Sequence, residues 1–425
     1  MDTAVPTPTL LICSVGGAPA PIIKSIKHWR PEKIIFIVSE SSLRQVEGIR
    51  AECPDIPALI QHGQIECLEL LDPQDFDASV SQLIELGPVV RKWKAGGEAC
   101  QVIVDFTGGT KCMSAGLALA AQHWPCGFSY VGGHTRDKEG LGIVQDGAEQ
   151  VVHHRNPAES LGRLVLEEAL TLFQEQGAYA AAAMRLKETL RRMDSPARKQ
   201  EFSALAALFD AYAAWHRFDH QEASRYFGAD FAKSTNHLKA VLGADTYECN
   251  QRIWKDTAHF LKRLTEQPGN SREKIIDLLA NADRCAHFGF YDDAVARLYR
   301  ATEAYAQWEL GLLQFTDTGN VAVNQLPRQL KEEWGFKANK EGFLKLGLQD
   351  DYRLLNELNH AAGHRFYSSN LDRKTSPLTA RNQSLLAHGF QPVGKPVFGN
   401  LRKALHELVQ LPEVNSPAFP QLRLP

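Results

Sequence analysis

The sequence predicts two kinds of domain in series, an α/β domain built on a parallel sheet and then all-α structure. Three observations carry that prediction. Short apolar runs alternate with amphipathic stretches through the first third of the chain, strand-like runs cease after Pro157, and three- and four-residue apolar spacing takes over from there.

The elements follow in order. Residues 9–15 (TLLICSV) are a continuous apolar strand, Gly16 to Pro21 a turn, and residues 22–29 a helix. Residues 33–39 (KIIFIVS) form a second buried strand, with a helix over about 42–52. A weaker strand at 65–70 precedes a helix at 76–94. Residues 101–106 (QVIVDF) are a strand, Thr107-Gly108-Gly109-Thr110 a turn, 111–122 a helix and 127–132 a further strand. Strands alternating with helices imply right-handed crossovers and a Rossmann-like domain.

Beyond Pro157, residues 159–176, 179–193, 201–218, 223–242 and 252–266 have helical spacing, up to a break at Pro268-Gly269-Asn270-Ser271. Helices at 272–288 and 291–310 meet at Gly289. The second carries one stripe: Ala294, Val295, Leu298, Ala301, Ala304, Tyr305 and Trp308. The expected domains are 1–155, a helical connector at 156–269, and a helical domain at 270–425.

Composition excludes some classes. With 44% apolar and 23% charged residues and a net charge of −3, the chain has no global basic footprint for long nucleic acid. It shows no signal-peptide pattern and no bilayer-length apolar run, so no membrane partner is expected. Its eight cysteines form no C-x-x-C pair, and the expected setting is cytoplasmic with reduced thiols.

Two strand-to-helix turns can hold an anion. Ser14-Val15-Gly16-Gly17 ends the first strand, and Asp105-Phe106-Thr107-Gly108-Gly109-Thr110-Lys111 ends a later one. Glycines let backbone N–H groups approach a phosphate, and the helix N-terminus favours negative charge. Thr110 offers a hydroxyl and Lys111 a point charge. Neither the dinucleotide fingerprint nor the Walker A spacing is present. The plainer reading is a pair of structural turns, with Lys111 in solvent.

A third stretch carries different chemistry. In Arg381-Asn382-Gln383-Ser384-Leu385-Leu386-Ala387-His388-Gly389, Arg381 and His388 are seven positions apart. On a continuous helix that is about two turns and nearly one face. Leu385 and Leu386 are then expected in the core, with Gly389 as the stop. Such a pair suits metal-free RNA cleavage by 2′-hydroxyl attack, histidine moving the proton and arginine holding phosphoryl charge. Arg353 and His360 have the same spacing and compete for the role. His360 and His364 are four apart without an acidic third ligand, which gives zinc little weight. Trp215-His216-Arg217 reads as a helix-face aromatic with polar neighbours, and Arg300 or Glu303 is expected to face the cleft.

Three resemblances follow. Over residues 8–150, the S-x-G-G and D-x-T-G-G-T-K-x-M strings, with Met113, Ser114, Ala115, Gly116 and Ala118 packing behind them, resemble the CARF domain. The R-N-x₄-A-H-G string resembles the signature of HEPN ribonucleases. In this order the two are similar to the CARF–HEPN ribonucleases of type III CRISPR systems. The resemblance implies a homodimer that binds a cyclic oligoadenylate (cyclic tetra- or hexa-adenylate) as activator, needs no other cofactor, and cleaves single-stranded RNA. Ser14, Gly16, Gly17, Thr107, Gly108, Gly109, Thr110 and Lys111 are its implied ligand residues. Arg381 is implied to stabilise the transition state, His388 to act as acid or base, and Asn382 to position them. Two alternatives stay open: a ring nuclease in which Ser14, Thr110 and Lys111 orient the ligand's own 2′-hydroxyl, and a non-enzymatic, ligand-responsive regulator with a degenerate helical bundle.

Overall fold

Five strands, β1 (Thr9–Ser14), β2 (Lys33–Val38), β3 (Ile65–Glu69), β4 (Gln101–Asp105) and β5 (Gly127–Gly132), run parallel in the order β3-β2-β1-β4-β5. A sixth, β6 (Gln150–His154), pairs antiparallel with β5. The computed structural model describes residues 7–53, 56, 59, 63–97, 100–132, 150–154, 157, 161–193, 195–387, 389–411 and 416–425. The chain divides into two compact units, Met1–Val165 with Lys187–Gln200 and Leu166–Leu186 with Glu201–Pro425.

All six β1 residues are buried, because helices cover both faces of a central parallel strand. Side chains alternate between two layers. Leu10 and Ile12 pack with Leu83, Val90, Met113 and Leu117; Leu11 and Cys13 pack with Ile22, Ile26, Val46 and Ile49. The helices that supply those residues are α1 (Ala20–Trp29), α3 (Gln45–Glu52), α4 (Phe76–Ile84), α5 (Gly87–Ala95) and α6 (Lys111–Ala121), and a short α2 (Glu40–Leu43) precedes α3. The single helix expected over 76–94 is two, and Pro88 sits in the first turn of the second, where its missing N–H costs no bond. β6 escaped the sequence reading because QVVHH is mostly exposed and has no apolar run.

Helices follow: α7 (Gly162–Gln174), α8 (Tyr179–Leu190), α9 (Pro196–His216), α10 (His220–Arg225), a π-helical turn at Tyr226–Asp230, α11 (Phe231–Leu242) and α12 (Ala244–Glu266). α9 buries Phe202, Leu205, Phe209, Tyr212 and Trp215 and is apolar on most sides, as a helix with neighbours all round must be. Trp215 is fully buried on its helix face, and its indole N–H donates to Asp277 at 3.0 Å. Burial pushes the neighbouring His216 down to about 4.

The last bundle holds α13 (Arg272–His287), α14 (Tyr291–Leu312), α15 (Arg328–Trp334), α16 (Leu348–Glu357), α17 (Ala361–Ser368), α18 (Pro377–Gln383) and α19 (Lys395–Leu408), with a short ribbon of β7 (Val321–Ala322) and β8 (Phe343–Leu344). The α14 stripe is its spine: Val295, Leu298, Ala301 and Tyr305 pack with Ile275, Tyr352, Phe366, Leu401 and Leu405. No helix among the described residues is long and apolar enough to cross a membrane.

Candidate functional site

The first candidate lies at the C-terminal edge of the sheet. β1 and β4 are neighbours, yet α1 packs on one face and α6 on the other. That reversal is a switch point of the strand order, beyond whose strand ends open α/β sheets bind ligands in a crevice. The loops after β1 and β4 interlock there. The Ser14 hydroxyl donates to the Gly108 carbonyl at 2.6 Å, and the Ser114 hydroxyl donates to the same oxygen at 2.8 Å. A Cβ on Gly108 would collide with the Ser14 carbonyl, and one on Gly16 would stand 2.7 Å from the Gly109 nitrogen. Glycine is required at both by the close approach of two backbones. Gly17, by contrast, faces open space.

Most hydroxyls of the motif serve the fold. Thr107 accepts the Val131 N–H at 2.7 Å, and its own N–H donates to Asp105 at 3.0 Å. Buried Asp105 accepts the Ser25 hydroxyl at 2.6 Å on its other oxygen. Thr110 caps α6, accepting the Met113 N–H at 3.1 Å and donating to the Pro73 carbonyl. Ser14 is fully buried. Outward, the crevice presents the Gly16–Gly17 backbone and the exposed Lys111 in the first turn of α6. Sequence reasoning passed over two neighbours at this edge. One is the serine run Ser39-Glu40-Ser41-Ser42 after β2, whose hydroxyl content was the available signal. The other is the stacked Phe106–Tyr130 pair at 5.9 Å, which nothing in the strand sequence marks.

The second candidate surrounds Arg381. Ser376 caps α18 and Pro377 occupies its first turn. Arg381, in the last turn, lays its guanidinium over the Tyr299 ring at 4.4 Å. Its Nε is enclosed without a hydrogen-bond partner, and an Nη donates to Asn382 Oδ1 at a long 3.5 Å. The helix expected to continue to residue 388 stops at Gln383. Ser384 ends it: both its hydroxyl and its N–H bond back to the Arg381 carbonyl, at 2.8 and 3.1 Å. The Ser384 carbonyl then accepts the N–H groups of Ala387 and Gly389, at 3.1 and 3.2 Å, and Ser384 bridges to Gln391. Leu385 and Leu386 are therefore not core residues but 68% and 48% exposed. His388 lies outside the described residues. Farther along, the Val393 N–H donates to Asp292 at 3.2 Å, which ties this loop to the start of α14.

Among the described residues, the α14 side chain against Arg381 is Tyr299. Arg300 is instead held by Glu303 at 3.0 Å, Gln307 at 3.2 Å and Asn270 at 2.9 Å. Tyr299 lay just off the apolar stripe, so periodicity did not select it. The competing pair is employed differently. Arg353 makes a two-pronged ion pair with Glu333, which holds that carboxyl below its usual range. His360 caps α17 through Nδ1, and its Nε2 stands 3.7 Å from Glu309. His364 Nε2 contacts Asn359 at 2.9 Å. Among the described residues no group of three or more His, Cys, Asp or Glu is placed to hold a metal ion.

Comparison with known proteins identifies both helical regions. The family described as the Csm6 6H domain matches residues 161–267, and the family described as the Csm6 HEPN domain matches residues 264–412. Two solved structures resemble the chain at low identity. Enterococcus italicus Csm6, bound to cyclic hexa-2′-fluoro-hexa-dAMP, has 12% identity and a TM-score of 0.49, over 94% of this chain and 93% of its own. Can2 from Sulfobacillus thermosulfidooxidans, in complex with cyclic tetra-adenylate, has 12% identity and a TM-score of 0.24, over 50% of this chain and 68% of its own. The assignment rests on the two domain matches. No curated protein matches the sequence.

Proposed function

Because the chain belongs to the Csm6 family of CARF–HEPN proteins from type III CRISPR systems, we propose that it is a ribonuclease effector switched on by cyclic oligoadenylate. One observation carries the reading: the R-N-x₄-A-H string falls inside the HEPN-matched residues, with Arg381 oriented by Tyr299. The substrate is single-stranded RNA. Its 2′-hydroxyl forms a bond to the adjacent phosphorus and the 5′-oxygen leaves. His388 moves the proton, Arg381 donates to the phosphoryl oxygens as charge builds, and Asn382 positions the guanidinium. Those steps balance without a metal ion.

Two copies supply one composite site. Leu385, Leu386 and Phe390, exposed at 68%, 48% and 91%, form an apolar fringe beside Arg381 that a partner copy covers. The activator, a cyclic tetra- or hexa-adenylate, binds at the β1–β4 crevice of domain 1–155, its phosphates against the Gly16–Gly17 backbone and Lys111. Domain 156–269 relays the binding and domain 270–425 cleaves. Activation requires the ligand to bind the active arrangement more tightly than the inactive one. The setting is cytoplasmic.

The test is cleavage of a fluorescent single-stranded RNA in EDTA, without ligand and with each ring. Cleavage with one ring, lost in Arg381→Ala and in His388→Ala, is expected. Cleavage that survives both substitutions moves the site to Arg353 and His360, and no cleavage with either ring removes the effector reading.

A further inference from the structure

The stretch from Ser416 to Pro425 lies beyond both matched domains and has no regular secondary structure, yet its backbone is fastened at two successive residues. The Asn250 amide on α12 donates to the Gln421 carbonyl at 2.8 Å and accepts the Gln421 N–H at 3.1 Å. The Gln174 amide on α7 donates to the Leu422 carbonyl at 3.0 Å and accepts the Leu422 N–H at 2.6 Å. Asn250 is buried and also donates to the Thr246 carbonyl at 2.9 Å, which fixes its orientation. A side-chain amide carries donor and acceptor side by side, so each of these replaces one rung of a β-ladder. Pairing of that kind holds an extended backbone whatever its sequence.

Selectivity comes from Phe419. Its ring centroid is 4.6 Å from Tyr212, 5.0 Å from Trp215 and 5.2 Å from Tyr179, and the Arg284 guanidinium covers it at 4.4 Å. Leu422 is 2% exposed. Tyr179, Tyr212 and Trp215 belong to the middle helical domain, whereas Arg284 stands on α13 of the nuclease domain. A cleft of about 400 Å³ lies alongside, lined by Tyr179, Arg284, His287 and Phe288 and by the segment's own Pro417–Gln421. An aromatic anchor between two domains, followed by two paired backbone rungs, is the anatomy of a peptide-binding groove rather than of a segment resting on a surface.

We propose that the middle helical domain carries a groove for an extended, aromatic-anchored peptide, and that its occupant is this chain's own Pro417–Leu422 segment, which staples α13 to the middle domain. The proposal is independent of the cyclic oligoadenylate and RNA readings.

Hydrogen–deuterium exchange on the full-length chain tests it without reference to activity. The Gln421 and Leu422 amides should exchange at least about ten-fold more slowly than in a free peptide of residues 416–425. Phe419→Ala, or Asn250→Leu with Gln174→Leu, should return them to the free-peptide rate while α9 stays protected. If a variant loses α9 protection as well, the synthetic peptide added in trans decides. It should bind the Phe419→Ala chain and not the parent chain, whose groove is filled. Free-peptide exchange in the parent chain, or equal binding of the added peptide to parent and variant, overturns the proposal.

Discussion

Tyr299 offers a measurable handle on Arg381. The guanidinium carbon sits 4.4 Å from the ring centroid, and both residues are half-buried. In that setting a cation–π contact contributes about 1 kcal/mol, within a range of about 0.5–2. If the stack holds Arg381 in its transition-state position, Tyr299→Leu should slow the chemical step about five-fold, and no more than about 30-fold. Tyr299→Phe keeps the ring and should stay within about two-fold. Arg381→Ala removes the donors themselves and should cost about 10²–10³-fold. The assay is the initial rate of RNA cleavage at saturating cyclic oligoadenylate, with ligand affinity measured in parallel to show that the sensor is intact. Leucine and phenylalanine variants of equal rate would refute the positioning role. A leucine variant as slow as Arg381→Ala would place Tyr299 in the chemistry itself.

Three further outcomes are expected. Asp351 is fully buried, and burial, with Glu303 and Asp350 adding to it, outweighs the opposing pull of Gln307 and Arg300 and pushes its carboxyl up to about 8. A carboxyl raised above its unfolded value keeps its proton in the folded chain, so stability falls as pH climbs from the unfolded pKa near 4 towards 8. The stability advantage of Asp351→Asn should therefore widen by roughly 2–4 kcal/mol between pH 5 and pH 8 in thermal or denaturant unfolding, and a gap independent of pH contradicts the burial argument. Gly108→Ala forces a Cβ into the Ser14 carbonyl and should destabilise the sheet domain by about 1–3 kcal/mol and abolish ligand binding, whereas Gly17→Ala, facing open space, should unfold like the parent; equal melting of the two variants removes the interlock. Lys111→Gln should weaken cyclic oligoadenylate binding about ten-fold and flatten its salt dependence in calorimetry, and an unchanged affinity takes Lys111 out of the site.

The parallel sheet was legible because buried parallel strands leave continuous apolar runs, as in TLLICSV and KIIFIVS. Strand order and the crevice were not, since they depend on which strands pair and on which face each helix takes. The proposed ligand motif was legible as a string, but the partners of its side chains were not. Thr110 reads as a hydroxyl offered to a ligand, and in the structure the hydroxyls of Ser14, Thr107 and Thr110 bond to Gly108, Val131, Met113 and Pro73. A sequence displays a hydroxyl but not the direction it faces. The glycines read as room for a phosphate, and two of them are room for each other's backbone.

The nuclease motif shows the same limit at a single residue. Seven-residue spacing implies a shared helix face only if every intervening residue keeps the helix, and Ser384 does not. Its hydroxyl and its N–H both take the Arg381 carbonyl, which leaves the next turn without that acceptor and sends the chain into a closed loop. Leu385 and Leu386, counted into the core by periodicity, become exposed together with Phe390. The cost of that exposure is itself informative. Three large apolar side chains beside an arginine whose neighbours already orient it are stable in water only at a penalty, and on the two-copy reading proposed above a second copy laid over the loop would relieve it. The break in α18 thus converts what reads as core into an exposed apolar surface, the one on which the proposed two-copy site would close.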